Sequence, residues 1–390
     1  MAGIYIHIPY CKTRCAYCDF FTQTSLGSRS RYEKVLVREM ELRRGYLEGA
    51  RVETIYFGGG TPSLFTPEQI GRILASVHRL FPVSEKPEVT LEANPDDVSR
   101  SFYDGLLSAG INRLSLGTQS FMDEELKFLG RRHTARQNHQ ALEDAFAAGF
   151  TDISVDLIYG LPLSVEGLPG KEGPRKHSLS AKAIINNLNT IFSYPITHLS
   201  AYHLTIEPGT PFGRMKEKGD FRELDEQASL RQFETLINFT REKGMEQYEL
   251  SNFALPGWHS RHNSSYWQRK PYLGLGPSAH SYNTRQRHWS VDHLKNYMEA
   301  IEAGRLPLEE ENLYTRDHFN EHVITALRTR EGIRLEEIEQ HYGGDYKNHL
   351  LHAARKFLKE KKLVIQDGAL RLSEQGMFVS DYILRELVQV

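Results

Sequence analysis

Six short apolar runs alternate with amphipathic helical patterns through the first 200 residues of this 390-residue chain. The runs are Ile4–Ile8, Glu53–Phe57, Glu88–Glu92, Arg113–Leu116, Asp152–Ile158 and Thr197–Leu204. The helical patterns between them include Arg31–Arg43, Pro67–Arg79, Arg136–Ala148 and Ala181–Phe192. Such alternation predicts parallel β/α units. Six units suit a partial six-stranded barrel, and an open doubly wound sheet is the alternative.

Glycines and polar residues recur just after each predicted strand. In chain order they are the cysteines from Cys11, then Gly58–Pro62, Glu92–Pro95, Gly117–Ser120, Asp156 with Tyr159–Pro162, and Tyr202–His203. In β/α barrels the working residues lie at the carboxyl ends of the strands. A single polar rim of this kind favours the barrel over the open sheet.

All three cysteines lie within eight residues, at Cys11, Cys15 and Cys18. An odd number in so short a window does not fit a disulfide framework, so the thiols predict one metal centre. A cubane [4Fe–4S] cluster usually takes four thiolates, and three would leave one iron with an open position. The alternatives are a structural zinc site with His7 as fourth ligand, or three unrelated reduced thiols.

The C-x3-C-x2-C spacing, with Tyr17 before the last cysteine, resembles the signature of the radical S-adenosylmethionine (SAM) superfamily. Further motifs resemble its coproporphyrinogen dehydrogenase (HemN)-like branch over nearly the whole chain. They are Tyr5-x-His7-Ile8-Pro9, Gly58–Pro62, Glu92, Leu116–Gln119, Asp156–Pro162 and Gly274–Gly276. The resemblance implies an α/β fold with a partial six-stranded (β/α)6 radical SAM barrel. It also implies a [4Fe–4S] cluster held by Cys11, Cys15 and Cys18, with SAM on the open iron.

The same resemblance implies a set of SAM contacts on the rim. They are Tyr5, Tyr17, Gly59, Gly60, Thr61, Glu92, Gln119, Arg131 and Asp156. The Arg131 guanidinium can pair with the methionyl carboxylate in a bidentate manner. Glu92 or Asp156 can accept from the ribose hydroxyls, and Tyr17 can pack on the adenine. For any one of these residues the alternative is an ordinary polar group on a loop.

Two features separate this chain from the dehydrogenases of the branch. Those enzymes carry a fourth cysteine two residues after the third, where this chain has Phe20. The Cys18-Asp19-Phe20 ending, and the run His262-Asn263-Ser264-Ser265-Tyr266-Trp267, resemble instead the HemW group of heme chaperones. That resemblance implies binding of heme and its transfer to an acceptor hemoprotein, with no catalytic residue assigned. The alternative function is oxygen-independent coproporphyrinogen III dehydrogenation.

His262 is the first candidate for a heme contact, because a histidine can ligate heme iron axially. Tyr266 and Trp267 offer flat apolar faces for a porphyrin. A packed aromatic corner with a hydrogen-bonded histidine explains the motif equally well. Further candidates with no better support are His203, His259 and His280.

The chain divides into three predicted regions. Residues 1–240 form the barrel, with a surface insertion near 163–180; residues 241–310 connect; and residues 311–390 form a winged-helix-like domain. Asp367-Gly368 between two short apolar runs predicts the hairpin of that domain. Its third helix is basic, which suits either DNA binding or a solvated face, and we favour the latter.

A net charge of −2 gives the chain no overall positive charge with which to attract nucleic acid. No apolar stretch approaches the ~20 residues needed to cross a bilayer, and no signal peptide is evident. With free thiols, these features predict a cytoplasmic protein. The expected partners are heme and an acceptor hemoprotein, for which the respiratory chain is one setting. A flavodoxin- or ferredoxin-like reductant, peripheral contact with a membrane and a dimer are left open.

Overall fold

The structure, a computed structural model, describes residues 1–162 and 176–389. The predicted surface insertion near 163–180 falls largely outside the described residues, and it stays a prediction.

Six parallel strands form the core of the molecule, each paired with the next along the chain. They are β1 (Ala2–Ile8), β2 (Val52–Gly59), β3 (Val83–Ala93), β4 (Arg113–Gln119), β5 (Ile153–Tyr159) and β6 (His198–His203). The intervening helices are α1 (Arg29–Leu42), α2 (Pro67–Leu80), α3 (Arg100–Ala109), α4 (Asp123–Phe128), α5 (Ala135–Ala148) and α6 (Lys176–Ile191). The predicted β/α alternation is confirmed.

The sequence explains why these elements form. Strands covered on both faces read as apolar runs, and Ile4, Ile6 and Ile8 of β1 are fully buried. Thr66 and Thr134 each start a helix with a reciprocal capping box. These caps define where α2 and α5 begin, at Pro67 and Ala135.

The region between barrel and C-terminal domain contributes the strands β7 (Glu246–Gln247), β8 (Asn252–Ala254), β9 (Tyr272–Leu275), β10 (His280–Tyr282), β11 (Gln286–Ser290) and β12 (Leu308–Asn312). They extend the sheet to twelve strands, in the order β12-β11-β10-β9-β1-β2-β3-β4-β5-β6-β8-β7. Two helices, α7 (Pro211–Glu217) and α8 (Glu226–Glu242), follow β6. Two more, α9 (Arg261–Trp267) and α10 (Leu294–Glu302), lie between the added strands. The sequence predicted a connecting region here, because strands of two to five residues are too short to show a period.

The C-terminal residues have the order helix, strand, two helices, hairpin, as in a winged helix. The elements are α11 (Thr315–Leu327), β13 (Ile333–Arg334), α12 (Leu335–Tyr342), α13 (Gly344–Lys359), β14 (Leu363–Gln366), β15 (Ala369–Leu372), α14 (Glu374–Phe378) and α15 (Ser380–Leu387). The predicted turn has positive φ at both Asp367 (52°) and Gly368 (74°), as a two-residue hairpin requires. A separate apolar core, with Phe319 and Phe357 fully buried, holds the elements together.

Carboxylates neutralise part of the basic helix of this domain. Lys356 pairs with Glu386, and Lys362, just beyond the helix, pairs with Glu360. This pairing agrees with a solvated face rather than a nucleic-acid footprint. No helix in the described ranges is long and apolar enough to cross a membrane.

Candidate cofactor site

A cavity of about 460 Å³ opens at the carboxyl ends of the barrel strands. Its lining includes most of the residues that the sequence assigns to the cluster and to SAM. They are Cys11, Cys15, Tyr17, Cys18, Gly59, Gly60, Thr61, Glu92, Gln119, Arg131 and Asp156. Residues from five strand ends and the cysteine loop thus meet in one place, as the polar rim predicted.

The three thiols lie on one wall of this cavity. The Thr61 hydroxyl donates to the Cys11 Sγ at 3.4 Å, and Arg131 Nη1 donates to the Cys15 Sγ at 3.4 Å. Burial raises the pKa of Cys18 to about 11 and that of Cys11 above its usual value. Binding of a metal would therefore displace thiol protons.

The thiols share a wall without converging on one point. Within residues 1–162 and 176–389, no group of three or more His, Cys, Asp or Glu side chains is arranged around a common metal position. His7 bonds the Phe21 carbonyl through Nε2 (3.0 Å) and the Tyr5 hydroxyl through Nδ1 (3.1 Å), so neither nitrogen is free to complete a zinc site. The donor set, thiols with neighbouring N–H and O–H donors aimed at sulfur, fits an iron–sulfur cluster.

Glu92 is held in place by donors from its own barrel. The Tyr56 hydroxyl donates to Oε1 at 2.8 Å, and the Gly59 N–H donates to Oε2 at 3.1 Å. Burial, reinforced by the nearby charge of Asp156, raises the pKa of Glu92 to about 7. Burial also raises the pKa of Asp156, which accepts from the Ser115 hydroxyl at 3.1 Å, to about 6. The cavity thus holds two acceptors that suit hydroxyl or ammonium groups of a ligand.

The Arg131 guanidinium, which donates to the Cys15 thiol, is held by further partners. Nη2 donates to the Gly117 carbonyl at 2.8 Å and to the Asn94 side chain, and Nη1 lies 3.5 Å from the Tyr17 hydroxyl. Its Nε is buried and has no partner among the described residues. An oriented guanidinium with a spare donor fits a carboxylate-bearing ligand such as SAM.

The triple glycine is required by the protein's own packing. A Cβ on Gly59, whose φ is +107°, would lie 2.4 Å from the His7 ring. A Cβ on Gly60 would lie 2.6 Å from the Tyr10 carbonyl oxygen and 2.8 Å from that of Ile8. The sequence reading, which assigned the glycines to close approach by a ligand, missed this second reason.

We expect Gly60→Ala to lower the free energy of unfolding by about 2–3 kcal/mol, because two backbone carbonyls leave no room for a methyl group. Denaturant unfolding measures the change. Gly71→Ala is the matched control: Gly71 lies within α2, and its added Cβ would meet Ala109 at an ordinary 3.6 Å. The control should be neutral or slightly stabilising, and equal losses in both variants would contradict the steric explanation.

Gln119 has a left-handed backbone conformation, with φ of 63°. It lies where the pairing of β4 with β5 changes register. A non-glycine residue in this conformation costs on the order of 1 kcal/mol, and such strain clusters at functional sites. The strain is consistent with a side chain aimed at a bound ligand.

Tyr5 and His262 do not line this cavity. Tyr5 stacks on Tyr56 with ring centroids 6.2 Å apart, and Tyr56 stacks on His262 at 5.0 Å. Tyr5 therefore lies next to Tyr56, the residue that donates to Glu92, and its connection to the cavity is indirect.

The expectation that His262 offers a free nitrogen to heme iron does not match its environment. Nδ1 lies 2.8 Å from the Thr54 hydroxyl and Nε2 lies 2.9 Å from the Tyr266 hydroxyl. The ring is buried, and burial lowers its pKa to about 3. In this conformation the motif is the packed aromatic corner that the sequence left as an alternative.

Sequence reasoning missed several residues of the cavity. Ser115 lines the cavity and Tyr56 donates to Glu92 from behind it, and both are strand residues with no motif around them. Asn94, Tyr202 and His203 also line the cavity; the sequence placed them on the rim but assigned them no SAM contact. Of the other histidine candidates, His203 lines this cavity, while His259 stacks on Tyr248 at 4.3 Å and His280 on Trp289 at 6.1 Å.

Comparison with known proteins places these residues in a family. The model of the Radical SAM superfamily matches residues 5–168, and that of the HemN C-terminal domain matches residues 313–379. The chain is 31% identical to heme chaperone HemW of Bacillus subtilis over 98% of both chains. It is 32% identical to heme chaperone HemW of Mycobacterium tuberculosis over 99% of this chain and 94% of the relative. The chain belongs to the HemW family.

A further relative and a solved structure are also similar to this chain. The mitochondrial radical S-adenosyl methionine domain-containing protein 1 of Bos taurus is 33% identical over 99% of this chain and 87% of its own. Coproporphyrinogen III oxidase (HemN) from Escherichia coli, a radical SAM enzyme, has the same fold: the TM-score is 0.83 at 21% identity, over 100% of this chain and 90% of that chain. The near-full-length HemW matches favour the HemW assignment over the dehydrogenase alternative.

Proposed function

We propose that this chain is a heme chaperone that binds heme and transfers it to an acceptor hemoprotein, and that its barrel retains a SAM-binding [4Fe–4S] cluster. The near-full-length match to proteins named heme chaperone HemW carries this proposal. Phe20 agrees with it, since this exposed side chain stands where the dehydrogenases have a cysteine.

Different residues of the cofactor cavity would bind the cluster and the separate groups of SAM. Cys11, Cys15 and Cys18 would hold the cluster; Arg131 would take the SAM carboxylate; and Glu92 would accept hydrogen bonds from SAM. The cluster, when bound, supplies an electron to SAM.

Heme titration of the purified protein tests the proposal. We expect a shifted Soret band that saturates at one heme per chain. The absence of a saturable shift, both with and without a reconstituted cluster, would refute heme binding. Anaerobic formation of protoporphyrinogen from coproporphyrinogen with SAM and a reductant would favour the dehydrogenase instead.

We further propose a cytoplasmic protein whose cluster is reduced by a flavodoxin- or ferredoxin-like partner. The mouth of the cofactor cavity supports this, because Arg14 and Phe20 are exposed there next to the cysteines. A basic residue beside an apolar one suits an acidic redox partner that approaches the cluster.

We expect Arg14→Glu to slow reduction of the cluster by flavodoxin several-fold and to weaken its salt dependence, because rim charges act mainly on association rates. Anaerobic stopped-flow absorbance measures the rate. Lys295→Glu, an exposed change on α10 that lines neither cavity described in this structure, serves as control. If both variants react like the wild-type chain, this docking site is wrong.

A further inference from the structure

A second cavity, of about 610 Å³, lies between the barrel and the C-terminal domain. We call it the junction cavity. Its walls come from Tyr202, the segment 249–252, α9 and the residues after it, Tyr282, Arg287 and α11. Tyr202 also lines the cofactor cavity, so the two cavities adjoin at this ring. The volume is within the range of ~300–1,000 Å³ that small-molecule sites occupy.

Aromatic rings give the junction cavity flat apolar surfaces. Tyr266 and Tyr272 meet edge to face at 4.6 Å, and Trp267 lies under the Arg328 guanidinium, whose carbon is 6.0 Å from the ring centroid. Tyr282 and Tyr202 complete this set on the lining. Surfaces of this kind suit a large planar ligand.

Four cations and two carboxylates line the junction cavity. One carboxylate, Glu249, accepts from the Ser251 N–H at 2.9 Å, and burial raises its pKa, which favours the uncharged form. Arg287 pairs with Glu321, and Arg328 pairs with Asp381 at 2.9 Å. The remaining cations are Arg269 and Lys270. The Arg269 guanidinium bonds only the neutral Tyr342 hydroxyl, at 2.9 Å, and the Lys270 ammonium has no partner in the described part of the chain. Two adjacent uncompensated cations predict a ligand with two carboxylates.

Arg269 occupies a position whose backbone favours glycine. It follows the C-terminal end of α9 with φ of 53°, in the left-handed region. Glycine is the usual residue just past a helix end in this conformation. The side chain therefore adds nothing to the turn itself, and its role is better explained by what it faces.

The walls also carry polar atoms that no protein group satisfies. Asn252 is 5% exposed, and its Oδ1 has no hydrogen-bond partner among the described residues. Trp267 Nε1 and Arg328 Nε are also buried atoms without a hydrogen-bond partner among the described residues. Buried polar atoms nearly always have a partner; these three belong to side chains of the cavity lining, so the described protein groups alone do not satisfy that lining.

We propose that the junction cavity binds a planar tetrapyrrole with two carboxylates, and that Arg269 and Lys270 hold those carboxylates. This inference rests on the proposed function, for which heme is the ligand. No histidine, cysteine or methionine lies among the described residues that line the cavity. Tyrosine can also ligate heme iron as the phenolate, but burial raises the pKa of each lining tyrosine, Tyr202, Tyr266, Tyr272 and Tyr282, and so disfavours that form. Recognition therefore acts through the macrocycle and its carboxylates, and iron-free protoporphyrin should bind with an affinity within about five-fold of that for heme.

The test compares two double variants of the full-length protein, titrated with heme and with protoporphyrin. Arg269→Gly with Lys270→Gln removes both cations and replaces the strained residue by the one that its backbone favours. We expect at least ten-fold weaker binding of both ligands and a melting temperature that does not fall. The control, Lys295→Gln with Arg305→Gln, removes two exposed cations that line neither cavity, and it should bind like the wild-type chain.

The outcomes distinguish a failure of the proposed binding site from a failure of the proposed function. If the wild-type chain binds heme but the Arg269/Lys270 variant binds it equally well, the junction site is overturned and the proposed function stands. Failure of protoporphyrin to bind would equally overturn recognition through the macrocycle. If the wild-type chain does not bind heme at all, the proposed function itself fails. A variant that melts well below the wild-type chain would contradict the structural premise for Arg269, and the single Lys270→Gln change then decides whether the cation contributes.

Discussion

Replacement of Cys11, Cys15 or Cys18 by alanine is expected to abolish the iron–sulfur cluster. The sequence contains no other cysteine that could substitute, and each thiolate would hold one iron. Reconstituted wild-type chain should contain about four irons per chain, as a [4Fe–4S] cluster requires. Each variant should retain well under about one iron per chain, by iron and sulfide analysis of the anaerobic protein.

Phe20 supplies the matched control for the cysteine variants. Its side chain is 62% exposed on the same loop, so Phe20→Ala should leave both stability and iron content unchanged. Phe20→Cys restores the fourth cysteine of the dehydrogenases and should not confer decarboxylation of coproporphyrinogen. If the alanine variants of the cysteines retain a full complement of iron, the ligand assignment is wrong.

Glu92→Gln is expected to weaken SAM binding at least ten-fold and, at the same time, to stabilise the protein above pH 7. The loss of binding follows because a carboxylate accepts stronger hydrogen bonds than an amide, and a charged partner makes such bonds stronger still. Equilibrium binding of SAM to reconstituted protein measures it. The gain in stability follows from the raised pKa of Glu92, which reaches about 7 through burial.

The sign of the pH effect is fixed by the direction of that shift. The folded chain binds the Glu92 proton more tightly than the unfolded chain, where the pKa is near 4.5. The stability from this group is therefore fully present below pH 4.5 and is lost as pH rises through 7. Glutamine cannot ionise, so the variant should exceed the wild-type chain by about 1–3 kcal/mol at pH 8, and the difference should shrink toward pH 4.5. The lower part of that range applies if the cavity stays hydrated.

Denaturant unfolding of the cluster-free protein at several pH values measures this difference. Glu85→Gln is the control, because Glu85 lies on the same strand and is exposed. It should change stability by less than ~0.5 kcal/mol at every pH. A Glu92→Gln variant that is less stable than the wild-type chain at pH 8 would show that its hydrogen bonds outweigh the cost of burying the charge.

The sequence predicted the barrel and most of the cofactor cavity because their signals are local. Each strand end is marked by its own residues, such as the glycines after β2, and a parallel barrel brings those ends to one rim. Once the fold follows from alternation, Glu92, Gln119 and Asp156 must lie near Cys11 without any knowledge of distances. Their joint presence in one cavity confirms that reasoning.

What the sequence did not predict depends on contacts between distant segments. β9 pairs with β1, with Gly3 opposite Tyr272, 269 positions later in the chain. No pattern in either strand specifies that partner. For His262 the sequence left a heme contact and a packed corner equally open, since its bonds to Thr54 and Tyr266 arise only in the folded chain. The junction cavity likewise requires Arg269 and α11 to face each other, which depends on how the two domains pack.

Transfer of heme from the loaded protein to an acceptor tests the central claim most directly. The heme-loaded chain, with its cluster reconstituted, is mixed with an apo-hemoprotein, and the Soret bands of donor and acceptor are followed over time. The account predicts that the acceptor gains heme faster than heme dissociates from the loaded chain into a neutral scavenger. Transfer no faster than this dissociation, or a chain that never loads heme, would contradict a chaperone function.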